Sequence, residues 1–577
     1  MNKKIFIGLN DNFHDPSICI LDEKGELLFA EGIERFLQSK RGVGCPGDMD
    51  FYIENVILKF FPKDKYDVFV ASSWSKKKHF LIIFFLFIGF FNYDSNSFVR
   101  KLLKRLGAHR NFHTVSLRAA AAFAQSGVGV FELFNRWDVD SIIERKYYNH
   151  HICHIVNTIS GSNFSSGIGL VIDGGGEATA ISIYKIKDKM PILVKDIKTT
   201  FSLGALYSIC TDAIGFSAYK GEEWKVMGLA PYGENSELFE KFIKDIFRVK
   251  KDKYTTKTKI LGRYVEELRE FVLTNNISKE DAAYTAQRVF VEYLFKVVAY
   301  AQRLVPNQTN IFISGGAALN SSAIGELSEA ELFENIIVAN APADDGNSVG
   351  AAYLAYKEVN GVFPKSYANR SPYIGSEITQ EDIENYVEKS KLPFKKLKNP
   401  SKYAAELLSQ NKIIGWIQGR AEFGPRSLGN RSILAHPGYA DNKDKTNAAV
   451  KFRESFRPFA PSILDEYGEE YFEKYSSTPF MEKTLTFRKE VRDKISAVVH
   501  VNNTGRLQSV TKDANLKYYD LLTEFNKLSG IPLVVNTSYN VMGKPIAHSL
   551  NDVMAVFFNS SIDAVIINNY VIERDDL

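Results

Sequence analysis

The stretch SGIGLVIDGGGEATAISIYKI, residues 166–186, decides the fold. GIGLVI is a short, almost wholly apolar run of the kind that forms a buried strand. It enters Asp173-Gly174-Gly175-Gly176-Glu177, where glycine permits a tight polar turn, and TAISIYKI then reads as an antiparallel return strand. Residues 5–28 repeat the plan: a strand, a polar turn containing Asn10, Asp11, Asn12, His14 and Asp15, a strand, an Asp-Glu-Lys-Gly turn and another strand. The repeated unit predicts a duplicated α/β domain, each half bringing one loop to a shared cleft.

Working outward, helical periodicity covers 281–304, and a strand at 309–314 enters a Gly-Gly loop and a helix. A polar loop at 343–347 opens a small-residue helix at 348–356. The turn-rich stretch 361–378 predicts a boundary between domains 1–365 and 366–577. Beyond it, 380–390 reads as a helix capped by Thr379 or Ser376, and short buried strands at 412–417 and 531–535 predict a second α/β domain.

Composition excludes some functions. With 45% apolar and 24% charged residues the chain is globular, and a net charge of +4 on 577 residues gives no general argument for nucleic acid or an acidic membrane. Cys19, Cys45, Cys153 and Cys210 form no CxxC pair and read as free thiols in a reducing compartment. No signal-peptide apolar region opens the chain, so the cytoplasm is the expected location. The apolar run FLIIFFLFIGFF at 80–91 follows three lysines. As a helix it reaches roughly 18 Å against a hydrocarbon core of ~30 Å, so it cannot span a bilayer. It reads as a buried element; the alternative is a basic-flanked wedge against a membrane or a lipid-linked acceptor.

Three clusters carry chemistry. His150 and His154, in HHICH, stand four residues apart and face one side of a helix, a spacing suited to chelating an ion. Asp173 and Asp344 are candidate carboxylate ligands. The set suits iron, manganese or zinc without choosing among them. Ser314-Gly315-Gly316-Ala317-Ala318-Leu319-Asn320 lies between a strand and a helix, where backbone N–H groups can meet an anion. KVMGLAPYG, 225–233, is read as a wall of the acceptor cleft or a structural turn. Lastly, GRAEFGPRSLGNRS, 419–432, sets Arg420, Arg426 and Arg431 among glycines, and KFRESFRPFAPS adds Arg457. Arginine forks on stiffened loops suit phosphates. NTSYN, with Asn536, Ser538 and Asn540, follows a strand end, where α/β sheets bind ligands.

In chain order, FHD, ERF with Lys40 and Arg41, HHICH, IDGGGE, KVMGLAPYG, GGAALN, ADDGNSVGAA, GRAEFGPRSLGNRSIL, FRESFRPFAPS and NTSYN resemble the O-carbamoyltransferases that act on nodulation factors, cephalosporins and aminoglycosides. The resemblance implies an actin-like (duplicated ribonuclease-H-like) N-terminal domain and a C-terminal α/β domain like the threonylcarbamoyl-adenylate synthases. It implies that carbamoyl phosphate and ATP, with Mg2+ as a possible companion, give carbamoyl adenylate in the second domain. The carbamoyl group then passes to a hydroxyl of a small molecule or glycan in the first. His150, His154, Asp173 and Asp344 would hold a divalent ion, Fe2+ ahead of Mn2+ or Zn2+. Arg420, Arg426, Arg457, Asn536, Ser538 and Asn540 would bind ATP and carbamoyl phosphate. Lys40 or Arg41 and the loop Gly315, Gly316 and Asn320 would meet the adenylate. His14 and Asp15 would lie near the acceptor, with His154 beside the reacting group. Lys544 and the Asn502-Asn503 pair depart from the family pattern, which expects an acidic residue and Asp-Gly. A tRNA threonylcarbamoyl-type modifier and a sugar or acetate kinase on the same scaffold stand as rival readings. The sequence leaves a homodimer open.

Overall fold

The computed structural model describes residues 2–11, 14–59, 64–77, 125–136, 142–198, 201–250, 253–257, 263–367, 370–442 and 459–577. The apolar run at 80–91 and Arg457 lie outside the described residues. The chain divides into two compact units, one of Met1–Ala323 with Glu331–Arg370 and one of Ile324–Ala330 with Ser371–Leu577. No described helix is long and apolar enough to cross a membrane.

The first unit contains one strand plan twice. β1 (Lys3–Asn10), β2 (Ser17–Leu21) and β3 (Leu27–Gly32) form an antiparallel meander, and β4 (Tyr66–Ser72) and β5 (Ile142–Tyr147) add in parallel beyond β1. β6 (Gly167–Ile172), β7 (Thr179–Lys187) and β8 (Met190–Lys198) repeat the meander, and β9 (Asn310–Ser314) and β10 (Asn335–Val338) add in parallel beyond β6. The orders, β3-β2-β1-β4-β5 and β10-β9-β6-β7-β8, are the same. This is the duplication expected from the paired loops, and it fits the ribonuclease-H-like plan that the resemblance implies. β1 and β6 are central and apolar on both faces, and their carboxyl ends carry Asp11 and Asp173.

Four helices matter for the site: α1 (Val128–Arg136), α2 (His150–Ser160), α3 (Lys279–Leu304) and α4 (Asn347–Asn360). α4 packs against both β1 and α2 at backbone distance. A Cβ at Gly8 of β1 would lie 1.8 Å from the Ser348 carbonyl oxygen, and one at Gly350 would lie 2.0 Å from that of Cys153. Only glycine permits this approach, and it brings the start of α4 beside the start of α2.

The second unit is built on a mixed sheet. Its strands are β11 (Lys395–Lys396), β12 (Ile414–Ile417), β13 (Arg431–Ala435), β14 (Ala460–Leu464), β15 (Gln508–Val510), β16 (Leu533–Ser538), β17 (Ala564–Ile567) and β18 (Tyr570–Glu573). They lie in the order β11-β18-β17-β12-β13-β16-β14-β15. Side chains alternate between two cores, as the pleat requires. Ile417, Ile433, Val535 and Ile567 pack with Val553 and Phe557 of α7 (Leu550–Phe558). Trp416, Leu434, Val534 and Ile566 pack with α5 (Pro400–Ser409) and α6 (Leu516–Ser529). The helix at Gln380–Ser390 is capped by Thr379 in a capping box with Asp382; Ser376 instead contacts His548. β16 runs three residues past the expected strand end, so Asn536 and Ser538 belong to it.

Candidate active site

α2 starts at His150 because Asn149 caps it, accepting from the His151 and Ile152 N–H groups. The Asn149 amide in turn donates to Glu177, which also accepts from the His150 and Ser75 N–H groups. The carboxylate thus joins the end of β4, the β6–β7 turn and a helix N-terminus, where negative charge is favoured. One turn on, His154 points the same way as His150.

Two strand-end loops complete the cluster. The nearest ligand atoms of His150, His154, Asp173 and Asp344 lie within 4.8 Å of one another, and all four residues are buried. His150 Nε2 is 3.5 Å from Asp344 Oδ1 and 3.7 Å from Asp173 Oδ2; His154 Nε2 is 3.3 Å from Asp344 Oδ1. The sequence-predicted ligand set is therefore brought together, and buried imidazole and carboxylate donors fit a first-row divalent ion. Burial opposes a charge on His150, but the Asp344 and Asp173 carboxylates outweigh it and raise the imidazole to about 10. Burial likewise works against the two carboxylates, yet the His150 and His154 side chains hold Asp173 and Asp344 below the usual carboxylate range. An ion binding here exchanges with a proton.

His151, the third histidine of the motif, turns away from the cluster. Its Nδ1 meets the Ser182 hydroxyl at 2.6 Å, and Ser182 donates to Asp196. Burial, followed by the charge of His150, pushes its pKa down to about 3.

The polar loop after β1 reaches the same place. His14 Nδ1 is 2.8 Å from Asp15 Oδ2 and 3.7 Å from Asp344 Oδ2. Arg41 Nη2 lies 3.2 Å from Asp15 Oδ2, and its Nη1 donates to the Ala218 carbonyl. Burial pushes the Asp15 carboxyl up, but Arg41 and His14 more than offset it and the net shift is down. Lys40, beside Arg41, is exposed.

The Gly315-Gly316 loop also faces the cluster. Gly315 has φ +90°, and a Cβ there would be 2.3 Å from the Ile172 carbonyl oxygen. This places the Gly316 N–H on Asp173 Oδ1 at 3.1 Å. Asn320 is committed elsewhere: its amide pairs with that of Gln287 on α3, and its oxygen also accepts the Ala323 N–H. KVMGLAPYG is a helix at Glu223–Leu229 followed by a helical turn, so Gly228 lies within a helix and not in a turn.

In the second unit the arginine motif is largely folded on itself. Glu422 is wholly buried and accepts the backbone N–H groups of Leu428, Asn430 and Arg431. Arg431 is also wholly buried and donates to the carbonyls of Gln418, Gly419, Asn430 and Ser376. Arg420 donates to the carbonyls of Ile374 and Gly375. Arg426 is half-buried, and burial lowers its pKa to about 10, leaving it a cation at neutral pH. β13 pairs with β16, Ser432 opposite Ser538, which brings the arginine motif beside NTSYN. Asn536 is buried and donates toward Ser427, Ser462 and Gln508, whereas Ser538 and Asn540 are only partly buried and hydrogen-bond to each other.

Sequence reasoning missed three residues that support the His–Asp cluster. Trp74 stacks on His150 at a centroid distance of 4.2 Å, Asn347 lies 3.2 Å from its Nδ1, and Arg370 holds α2 from behind through Asn157 and Ser160. Trp74 had a signal: it follows the end of β4, at the edge where such sheets bind ligands. Contacts this distant in sequence leave no local trace.

Comparison with known proteins identifies the family. Residues 5–353 match the carbamoyltransferase N-terminus family and residues 405–574 the carbamoyltransferase C-terminus family. The chain is 31% identical over 497 residues to nodulation protein NolNO of Sinorhizobium fredii, covering 84% of this chain and 71% of that protein. It is 32% identical over 441 residues to nodulation protein NolO of Bradyrhizobium diazoefficiens, covering 74% and 79%. Among solved structures, HypF from T. kodakarensis is similar at 14% identity and a TM-score of 0.33, covering 64% of this chain and 49% of that one. With both of its family domains matched and the His–Asp cluster inside the first, this chain belongs to the carbamoyltransferases and is an enzyme of that family.

Proposed function

We propose that the enzyme is an O-carbamoyltransferase working in two steps. In the domain at 366–577, carbamoyl phosphate loses its phosphate to water, and an oxygen of the resulting carbamate attacks the α-phosphorus of ATP, forming carbamoyl adenylate and releasing pyrophosphate. A hydroxyl of a sugar, glycan or natural-product acceptor then takes the carbamoyl group in the domain at 1–365, and AMP leaves. One observation carries the reading: the buried quartet His150, His154, Asp173 and Asp344, with His14 3.7 Å from Asp344. These four residues would hold the ion, for which Fe2+ is proposed ahead of Mn2+ or Zn2+. When bound, it would supply Lewis acidity toward the carbamoyl carbonyl.

The other roles follow from hydrogen bonding. Asp15 accepts the Nδ1–H of His14, leaving Nε2 to take the hydroxyl proton. Arg41 keeps Asp15 ionised and in place. Arg426, partly exposed and a cation at neutral pH on the loop beside β16, is the arginine proposed for phosphate, with Ser538 and Asn540 at the adjacent strand end.

Nucleotide products test the scheme. Carbamoyl phosphate plus ATP should yield AMP, whereas a kinase on this scaffold yields ADP. Arg426→Ala should lose AMP formation; His154→Ala should keep adenylate formation and lose transfer. A His154→Ala enzyme that still carbamoylates its acceptor would remove the metal centre from the reaction.

A further inference from the structure

We propose that Gly174 keeps clear the place beside the ion where the carbamoyl group sits, so that the size of the residue at 174 decides whether that group is admitted. This rests on the metal reading above and adds to it the residue that leaves the ion open to its substrate.

Asp173 is buried, and Gly174, the next residue, is exposed. Their backbone is held firmly from one side. The Ser202 hydroxyl donates to the Asp173 carbonyl at 2.6 Å. The helix Leu203–Ile214 starts so close that a Cβ at Gly204 would lie 2.9 Å from the Gly174 nitrogen. The turn then closes with the Gly176 N–H on the Thr179 carbonyl at 2.7 Å. The other side is bare: among the described residues, a Cβ at Gly174 would meet no atom within 4 Å.

Glycine is required where the backbone is left-handed, where another backbone packs too close for a side chain, or where a ligand approaches. Gly361, Gly530 and Gly543 also face open space, but their φ values of 81°, 70° and 83° account for them. Gly174 has no left-handed φ and no neighbour in the way of a Cβ, so the first two reasons fail and the third is left. Gly316 reaches the same carboxylate from the end of β9 and is alike. It has no left-handed φ, and the neighbour its Cβ would meet is Asp173 Oδ1 itself, at the ordinary contact distance of 3.4 Å. Two glycines that neither the backbone nor the packing requires therefore flank one ligand carboxylate. In the proposed reaction, the group that must come against the ion is the small, planar carbamoyl group.

The full chain, stripped of metal and reloaded with Co2+, is titrated with hydroxyurea, a chelator that carries a carbamoyl group, and the visible Co2+ absorption is read. Gly174→Ala and Gly174→Val are treated in the same way, and each chain is also melted. Both variants should take up Co2+ with native affinity and melt at the native temperature or above, since an alanine at an open position of ordinary φ restricts the unfolded chain. Hydroxyurea should bind less tightly to Gly174→Ala and at least about 10-fold less tightly to Gly174→Val. Native hydroxyurea affinity in both variants overturns the inference and leaves the metal reading standing, as does a native Co2+ chain whose spectrum hydroxyurea does not change. Lower melting or weaker Co2+ binding in Gly174→Ala also overturns it, because the glycine then serves the fold. A native chain that binds no Co2+ overturns both. If the valine variant does not fold, Gly174→Ala decides: weaker hydroxyurea binding at native Co2+ affinity supports the inference, and native binding overturns it.

Discussion

Asp15 and Arg41 both hold a left-handed backbone, with φ of 56° and 63°, a conformation that costs a side-chain-bearing residue roughly 1–2 kcal/mol. Each turn supports the other. The Asp15 N–H donates to the Arg41 carbonyl, the Arg41 N–H donates to Glu34, and the two side chains form an ion pair. Strain at two residues beside a reactive cluster is a sign of function. Arg41→Ala should move the acid limb of the transfer rate to higher pH. Burial alone raises the Asp15 carboxyl, and Arg41 is the largest influence pulling it down. Without the guanidinium, Asp15 protonates at a higher pH and ceases to accept from His14. A pH–rate profile with an unmoved acid limb would show that Asp15 does not orient the base. At this scale the sequence was readable where function requires a local spacing. His150 and His154 are one helical turn apart, and Asp173 closes a strand into glycines. Trp74 and Asn347 touch the same ring from other segments, so no spacing announces them.

The element that assembles the site is α4, and it does so through missing side chains. Gly350→Ala would set a methyl 2.0 Å from the Cys153 carbonyl on α2. Such overpacking costs about 1–3 kcal/mol, and here the strain falls between the helix bearing two histidines and the helix that follows Asp344. The variant should melt earlier and bind metal more weakly; weaker melting with intact metal affinity would show that the two helices do not set the ligand geometry. Arg370 reinforces the junction by donating to Asn157 and Ser160 of α2 and to Asn340 of the segment leading to Asp344. In the second unit, Arg431 of the 419–432 motif has a structural role. Arg431 closes its own loop on four carbonyls, so Arg431→Met should destabilise by at least ~3 kcal/mol through unsatisfied acceptors. Urea unfolding measures this, and a native midpoint would contradict it. The meander β1–β3 and the hairpin β6–β7 were legible because their turns are local and their strands adjacent, whereas β8, beyond residue 186, was not read. β4 and β9 could not be assigned neighbours, because a parallel partner arrives through a long crossover with no turn signal.

Across the whole chain, buried carboxyl groups make stability depend on pH well above the ordinary carboxylate range. Asp48 is the clearest case away from the His–Asp cluster. It is 1% exposed and accepts the N–H groups of Gly127 and Val130 at the start of α1. Burial and then the charge of Asp11 push its carboxyl up to about 7, against the pull of those two N–H groups and Arg145. An unfolded aspartate titrates at about 3.9. Between these values the folded chain keeps the proton and the unfolded chain does not. This contribution to stability is therefore complete below about pH 4 and is lost as pH rises to about 7. A shift of that size corresponds to at most about 4 kcal/mol. Asp345, pushed up to about 8 by burial and neighbouring carboxylates, adds a slope of the same sign. Asp48→Asn should flatten the dependence without abolishing it, since the amide cannot ionise and its oxygen can still accept an N–H. Urea unfolding of both proteins at intervals from about pH 5 to 8 should show the variant gaining on the native chain as pH rises. A constant difference across that window would mean that Asp48 is ionised in the fold, held by α1 and Arg145 in spite of its burial.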